Sequence, residues 1–285
     1  MKEAIKSVLQ KIKGLYKYLK YSDFDANIFR NSLIEAGIKS GDDLYVMCSL
    51  NNIKKKTGRT PPVNIILEVI LELVGSEGTL LVLAFPGDKI NIINKKTNFH
   101  WKKSMSSNGI FTELLRRKKE SERSLNPIYS GVAYGKNAKE YCQDHHKSIY
   151  PFGELSPYRK IIENNGKYLG IGAGFEAFTM VHVLDDFYKE NFIHSLYKEV
   201  KKFIVQGVEG ELEMETNIRK TGNELKEALP YPNGLIYFEK LQPIIHEKFC
   251  KVDGVNLFVM DLKSFFDSAI KNYDKSKLTW WNTDI

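Results

Sequence analysis

Two unbroken apolar runs, separated by a helical segment, constrain the fold of this chain more than any other feature. The first run, Leu44 to Cys48 in KSGDDLYVMCSL, ends at the polar Ser49, and the second lies in SEGTLLVLAFP. Between them, TPPVNIILEVILELVG begins with prolines that suit a first helical turn and ends at Gly75. Because continuous apolar runs are typical of strands buried on both faces, this order predicts a right-handed parallel crossover and an α/β fold.

The rest of the chain continues this alternation of helices and strands. Helices are predicted over FDANIFRNSLIEAGI, GIFTELLRRK, KNAKEYCQDH, RKIIENN, PNGLIYFEKLQPIIHEK and DLKSFFDSAIKNY. Strands are predicted over SGVAYG, KYLGIGA, VKKFIVQG, ELEMETNI and GVNLFVM. A further helix over FEAFTMVHVLDDFYK would place Thr179, His182 and Asp185 on one face, because residues three apart are neighbours on a helix.

The N-terminal segment, residues 1–24, is predicted to be an amphipathic helix. Its apolar residues have helical spacing and its lysines lie on the opposite face. We expect this helix to pack on the body of the protein, with a membrane-surface helix as the alternative. Residues 25–285 are expected to form one domain, or two closely packed lobes.

Composition predicts a cytoplasmic protein. The 285 residues are 42% hydrophobic, enough for a full core, and no run reaches the roughly 18 apolar residues that cross a bilayer. The N-terminus lacks the apolar centre of a signal peptide. Three scattered cysteines, Cys48, Cys142 and Cys250, fit neither a disulfide framework nor a zinc site. We therefore expect a reducing compartment, no integral membrane segment and no metal.

The formal charge of +7 has two interpretations. It is either a lysine-rich surface without a specific role or a field that attracts anions such as coenzyme A, nucleotide-sugars or nucleic acid. Nucleic-acid binding is not expected, because basic residues interleaved with exposed aromatics and known recognition motifs are both missing from the sequence.

Linked motifs fill the stretch from Pro151 to Phe187. They are Pro-Phe-Gly at 151–153, Ser-Pro at 156–157, Gly-Lys at 166–167, Leu-x-x-Gly-x-Gly at 169–174 and Thr-x-x-His-x-x-Asp at 179–185. This stretch resembles the signature region of the aminoglycoside 3-N-acetyltransferase family. GDDLYVMCSLNNI, GSEGTLLVLAFP and NGIFTELLRRKKESERSLNPIYS resemble other segments of that family, so the resemblance extends from about residue 25 to about residue 270.

The resemblance implies a two-sheet mixed α/β sandwich flanked by helices, with acetyl-CoA or another acyl-CoA and an amine acceptor meeting in a cleft. It also implies that His182 is the catalytic histidine and that Asp185 orients it. The chemistry agrees, because a protonated amine cannot attack a thioester and an imidazole accepts a proton near neutral pH. The alternative is a buried structural histidine, which is our interpretation of the remaining histidines, His100, His145, His146, His194 and His246.

Further site residues are implied by the same resemblance. The backbone N–H groups of Ser49 and Leu50 would face coenzyme A, although Ser49 also suits a plain helix N-cap. Ser124 and Thr179 are predicted cofactor contacts, and Phe85, Asn126 and Glu176 are predicted substrate contacts. A monomer or a homodimer would suffice for this chemistry.

Departures from the family pattern concern the acceptor. Asn126 stands where the family has histidine, Ala84 where threonine is usual, and Asp185 where glutamate is usual. The family's aminoglycoside enzymes are typically acidic, whereas this chain is basic and would repel a polycation. The sequence therefore favours a nucleotide-linked amino-deoxysugar, as in lipopolysaccharide and other surface polysaccharide synthesis. The alternatives are an aminoglycoside 3-N-acetyltransferase that confers resistance and a binding protein of the same fold without catalysis.

Overall fold

The computed structural model describes residues 24–57, 61–191, 195–221, 224, 247–252 and 255–271. Two predicted helices lie outside the described residues. They are the N-terminal helix over residues 1–24, of which only Phe24 is described, and the helix over PNGLIYFEKLQPIIHEK, of which only the last residues, Glu247 and Lys248, are described. The α-helices are α1 (Ala26–Glu35), α2 (Leu50–Thr57), α3 (Val63–Val74), α4 (Lys89–Ile93), α5 (Ile110–Arg116), α6 (Ala138–Cys142), α7 (Pro157–Glu163), α8 (Val181–Phe187) and α9 (Leu262–Lys271).

Strands of very different lengths complete the fold. They are β1 (Asp43–Cys48), β2 (Thr79–Leu83), β3 (Phe99–His100), β4 (Glu122–Arg123), β5 (Gly131–Gly135), β6 (Lys167–Ile171), β7 (Tyr197–Gln206), β8 (Glu211–Arg219), β9 (Glu247–Val252) and β10 (Val255–Asp261). Single 3₁₀ turns cover His145–Lys147, Phe175–Ala177 and Lys189–Asn191. Among the described helices, none combines the length and the apolar character that a bilayer crossing requires.

Seven strands form the main sheet, in the order β4-β5-β2-β1-β6-β10-β9. Strand β1 pairs in parallel with both β2 and β6, and the remaining pairs are antiparallel. The parallel pairing of β1 with β2 across α3 confirms the predicted crossover. A smaller sheet, β3-β7-β8, carries the long β7 and β8 hairpin. The two mixed sheets with helices around them confirm the predicted fold class.

The main sheet separates two apolar cores. Side chains alternate across a strand, so Leu44 and Val46 enter the first core with α1, α3 and α5, whereas Tyr45 enters the second core. In α3, Ile66, Ile70 and Val74 face the sheet, and burial of each stabilises the fold by about 1.5–3 kcal/mol. The second core also receives α6 to α9 and the inner face of the smaller sheet.

A close approach at the end of β6 positions the segment that leads to α8. Gly172 has φ +62°, and a Cβ there would lie 2.9 Å from the carbonyl oxygen of Ser49 and closer still to Ile53. Glycine is therefore required for the end of β6 to pack against the start of α2.

The single long helix predicted over FEAFTMVHVLDDFYK is wrong. The segment is a 3₁₀ turn over Phe175–Ala177 followed by α8, and Thr179 precedes that helix. Phe178 leaves the helical conformation, with φ −78° and ψ 83°. Its ring packs on Phe175 and Phe265 in the second core, so burial of aromatic rings outweighs the local preference for a continuous helix.

Candidate active site

His182 and Asp185 lie one turn apart on α8 and form a hydrogen-bonded pair. The His182 Nδ1 atom is 2.9 Å from Asp185 Oδ2. A carboxylate only accepts hydrogen bonds, so Nδ1 carries the proton and Nε2 keeps its lone pair. Nε2 forms no hydrogen bond within the described part of the chain. The His182 side chain is 29% exposed and that of Asp185 only 2%, so the pair has a buried end and an open end.

Arg219, the last residue of β8, anchors the buried end of this pair. Its Nη2 donates to Asp185 Oδ2 at 2.6 Å, and its Nη1 lies 3.9 Å from Asp186 Oδ1. Asp186 also accepts hydrogen bonds from the Tyr197 hydroxyl and from the Phe152 amide, the latter at 2.8 Å. A buried carboxylate requires a hydrogen-bonding or charged partner, and here the Arg219 guanidinium is the charged partner of both carboxylates.

The sequence analysis did not identify Arg219. The sequence does indicate that a buried cation is needed, because two adjacent aspartates, Asp185 and Asp186, lie within an otherwise apolar helix. Two carboxylates can both be buried there only beside a cation.

Burial, more than the charges around it, keeps the His182 imidazole neutral. Burial lowers the pKa of His182 below its usual 6.5, and the Arg219 charge lowers it further, while the hydrogen bond to Asp185 opposes both. Burial also raises the pKa of Asp186 to about 6, against the Arg219 charge. A neutral imidazole with an unshared Nε2 lone pair is the form that accepts a proton at pH 7.

An aromatic row leads from β2 to the His182 ring. The ring centroids of Phe85 and Tyr129 are 5.5 Å apart, those of Tyr129 and Phe152 are 5.6 Å apart, and those of Phe152 and His182 are 5.1 Å apart. The Tyr129 hydroxyl accepts a hydrogen bond from the Arg219 amide at 2.9 Å. The predicted substrate residue Phe85 is half-buried and therefore begins a row that ends at the predicted base.

Lys89, at the start of α4, places a second cation beside this row. Its Nζ lies 4.5 Å from the Tyr129 ring centroid and 5.8 Å from that of Phe85. Burial lowers the pKa of Lys89 to about 8, with a further contribution from the Arg219 charge. The Lys89 charge also lowers the pKa of His182, after the larger effects of burial and Arg219.

Ser49 and Leu50, the predicted coenzyme A contacts at the start of α2, are half-buried. The Ser49 amide donates to the Ile171 carbonyl at 2.9 Å and is therefore already paired. Its hydroxyl accepts from the Asn52 amide at 3.4 Å, the geometry of a weak N-cap. The Ser49 side chain therefore has the contact that the N-cap alternative predicts.

Ser124 and Asn126 are fully buried, so the structure does not place them where a cofactor or substrate would reach them. The Ser124 hydroxyl is paired with His145 Nδ1 at 2.8 Å and with the Gly131 amide at 2.9 Å. The Asn126 side-chain oxygen Oδ1 accepts from the Tyr129 backbone amide at 2.8 Å, and its side-chain nitrogen Nδ2 donates to the Thr216 hydroxyl at 3.1 Å. Asn126 therefore fixes the loop that carries Tyr129.

The two remaining predicted contacts lie near the end of β6. Thr179 is half-buried, and its hydroxyl is paired with that of Tyr45. Glu176 is in the 3₁₀ turn before α8, and its side chain lies outside the described residues. Across the described ranges, no group of three histidine, cysteine, aspartate or glutamate residues is arranged to hold a metal.

This fold is similar to those of solved aminoglycoside acetyltransferases. The crystal structure of aminoglycoside acetyltransferase AAC(3)-Xa aligns with a TM-score of 0.73 at 18% identity, covering 92% of this chain and 96% of that one. The AAC-IIIb binary complex with CoASH aligns with a TM-score of 0.68 at 20% identity, covering 87% and 95%. At such identities these alignments show a shared fold.

The sequence model of the aminoglycoside 3-N-acetyltransferase family matches residues 45–272. This chain belongs to that family. The match confirms the resemblance drawn from the motifs and includes α8 and β8, which carry His182 and Arg219.

Two curated relatives align with part of this family member. The SPbeta prophage-derived aminoglycoside N(3')-acetyltransferase-like protein YokD of Bacillus subtilis (strain 168) is 25% identical over 170 residues, which are 52% of this chain and 60% of YokD. Aminoglycoside N(3)-acetyltransferase III of Pseudomonas aeruginosa is 25% identical over 160 residues, covering 51% and 58%. The chain thus spans less than two thirds of the length of each.

Proposed function

We propose that this family member is an N-acetyltransferase that moves the acetyl group of acetyl-CoA to an amine of an aminosugar. The observation that carries the proposal is the His182 pair: Nδ1 is held by Asp185, Nε2 has no hydrogen-bond partner among the described residues, and the side chain is 29% exposed. Family membership supports the use of a thioester donor, since the relative AAC-IIIb was solved in complex with CoASH.

In this proposal His182 carries a proton in two steps. As the acceptor nitrogen attacks the thioester carbonyl, a C–N bond forms and Nε2 takes a proton from that nitrogen. When the tetrahedral intermediate collapses, the C–S bond breaks and the imidazolium returns the proton to the departing thiolate. Asp185 stabilises the transient imidazolium, and Arg219 holds Asp185 in place.

An aminoglycoside is the acceptor that the relatives support. The curated relatives bear the names of aminoglycoside N-acetyltransferases or of proteins like them, and AAC-VIa was solved with sisomicin bound. The alternative of a binding protein without catalysis has less support, because the histidine and its carboxylate are both present and paired.

A nucleotide-linked amino-deoxysugar is a second candidate, favoured by Lys89. This cation lies over Tyr129, in the aromatic row that ends at His182, and no ion pair with a carboxylate is seen for it among the described residues. Opposite charges attract more strongly in a partly desolvated site than in water, so Lys89 favours an acceptor with a phosphate near its amine and disfavours a polycation.

Release of free coenzyme A thiol from acetyl-CoA tests the proposal, with kanamycin and dTDP-4-amino-4,6-dideoxyglucose as competing acceptors. Acetylation of either by wild-type protein, and its loss in His182→Gln, would support acetyl transfer. His146→Gln is the matched control, because this half-buried histidine lies on a 3₁₀ turn outside the pair. Binding of coenzyme A without turnover on either acceptor would contradict the proposal.

A further inference from the structure

A strongly basic cavity of about 680 Å³ lies beside α5 and β4. Seven of its eleven lining residues are lysine or arginine, and none is acidic. His182, Asp185 and Arg219 are not part of its lining, so this basic cavity is separate from the proposed proton-transfer site.

Two of the three arginines of the basic cavity, Arg116 and Arg123, are held in fixed positions. Arg116 forms a two-point pair with Glu113, with Nε to Oε1 at 2.7 Å and Nη2 to Oε2 at 2.8 Å, and Arg117 pairs with the same carboxylate at 3.4 Å. Arg123 is buried, donates to the Ala84 carbonyl at 2.7 Å and packs over the Phe99 ring. Burial and the nearby Arg116 charge lower the pKa of Arg123 to about 9.

Positive charge in the basic cavity exceeds the negative charge that faces it. Glu113 and Glu68 are the carboxylates paired with its lining residues, Glu68 through Lys118 at 3.0 Å. Three of the seven cations pair with these two carboxylates, and the other four have no ion pair in the described part of the chain, so the net charge is +5. Like charges held this close repel one another, and a bound polyanion would relieve that repulsion.

The chemistry of the lining identifies the anion. Three exposed lysines, Lys102, Lys103 and Lys119, supply mobile ammonium groups, and lysine and arginine are the residues that bind phosphate. Trp101 adds a half-buried indole on which a nucleobase can stack. We propose that the basic cavity binds a phosphorylated nucleoside.

Chain connectivity relates the basic cavity to the aromatic row. Arg123 and Ser130 both donate to the Ala84 carbonyl, and Ala84 immediately precedes Phe85, the first ring of that row. This inference rests on the proposed function for the source of the nucleotide, which is either the adenosine 3',5'-bisphosphate end of coenzyme A or the diphosphate of a nucleotide-linked acceptor. Binding itself does not depend on which of them supplies it.

Titration calorimetry tests this proposal with adenosine 3',5'-bisphosphate, thymidine diphosphate and inorganic phosphate, in about 0.15 M salt to suppress unspecific attraction. The test variant combines Lys102→Gln, Lys103→Gln and Lys119→Gln. The matched control combines Lys39→Gln, Lys96→Gln and Lys139→Gln, which removes the same charge from exposed positions outside the cavity. We expect the test variant to bind a nucleotide about tenfold or more weakly and the control to bind as wild type does.

The ligands separate the two sources. Preferential binding of adenosine 3',5'-bisphosphate, with a raised KM for acetyl-CoA in the test variant, would assign the cavity to the donor, and preferential binding of thymidine diphosphate would assign it to the acceptor. Equal loss in both triple variants, no nucleotide binding, or phosphate binding as tight as that of the nucleotides would overturn the proposal. The titrations need no turnover, so an inactive enzyme that binds nucleotide through these lysines would reject acetyl transfer and leave the cavity's assignment intact.

Discussion

His145 and His182 lie on the same side of the main sheet and differ in how many of their ring nitrogens are hydrogen-bonded. His145 is fully buried, with Nδ1 2.8 Å from the Ser124 hydroxyl and Nε2 2.9 Å from the Pro151 carbonyl. A carbonyl only accepts, so the His145 proton is on Nε2, and Nδ1 accepts from Ser124. His182 has the opposite tautomer, with its proton on Nδ1, and its side chain is partly exposed.

Burial lowers the pKa of both rings, to about 4 in His145. The two residues are therefore both neutral at pH 7, and neutrality alone does not identify a base. The difference is the number of paired nitrogens: both nitrogens of His145 are hydrogen-bonded to a loop, whereas His182 has only Nδ1 paired among the residues that the structure describes. A residue can accept a substrate proton only where a lone pair remains and the substrate can approach it.

Replacing His182 should have the largest effect. We expect His182→Gln to lower kcat/KM for acetyl transfer by about 10²–10⁴-fold, the usual contribution of a positioned proton acceptor. His145→Gln should keep the activity of each folded molecule, because that ring has no access to substrate. Steady-state rates normalised to the folded fraction measure both, and a loss below about threefold in His182→Gln would contradict the comparison.

Removing Arg219 should destabilise the fold itself. Arg219→Met removes the guanidinium from beside the buried Asp185 and Asp186, at a cost of about 3–5 kcal/mol in the free energy of unfolding. Arg117→Met is the control, since Arg117 is exposed and its pair with Glu113 should contribute less than about 1 kcal/mol. Urea unfolding monitored by circular dichroism compares them, and equal losses would show that the cluster on α8 is not stabilised through Arg219.

Lowering the pH should reduce the stability of the folded protein through the buried His145. Its folded pKa is lowered to about 4, whereas the unfolded chain binds that proton near pH 6.5. The unfolded state therefore binds more protons as the pH falls from 6.5 to 4, and stability is lost over that window, by on the order of 3 kcal/mol. His145→Gln should flatten this part of the profile of unfolding free energy against pH, and an unchanged slope would mean that His145 titrates normally in the folded protein.

Asn126 should give the smallest effect. Asn126→Ala leaves the Tyr129 amide and the Thr216 hydroxyl without their buried partner, which costs about 1–3 kcal/mol of stability. Asn27→Ala, on the exposed face of α1, should change stability by less than about 0.5 kcal/mol. Thermal unfolding of the pair measures the difference. A stable Asn126→Ala with a raised acceptor KM would instead restore Asn126 as a substrate contact.

Much of the fold could be predicted because apolar runs and helical periods are local properties. The runs at Leu44–Cys48 and Thr79–Leu83 became neighbouring parallel strands, and the spacing of His182 and Asp185 on a helix was sufficient to pair them. Long-range packing decided the rest. Arg219 is 34 residues from Asp185, and nothing local to either residue specifies their contact.

Burial was equally hard to predict. A serine or asparagine in a polar loop has the same local sequence whether it faces a ligand or the interior, and Ser124 and Asn126 face the interior. Thr179 lies outside α8, contrary to the prediction, because the packing of neighbouring phenylalanine rings in the second core interrupts the helix before it.

Nitrogen-15 NMR of the histidine rings, titrated with pH, tests the central claim most directly because it reports the tautomer and the pKa of each ring. We predict that His182 carries its proton on Nδ1, leaves Nε2 unprotonated at neutral pH and titrates below its usual 6.5. The same spectrum should show His145 with its proton on Nε2. A His182 ring protonated on Nε2, or one that remains an imidazolium at pH 7, would contradict the proposed proton transfer.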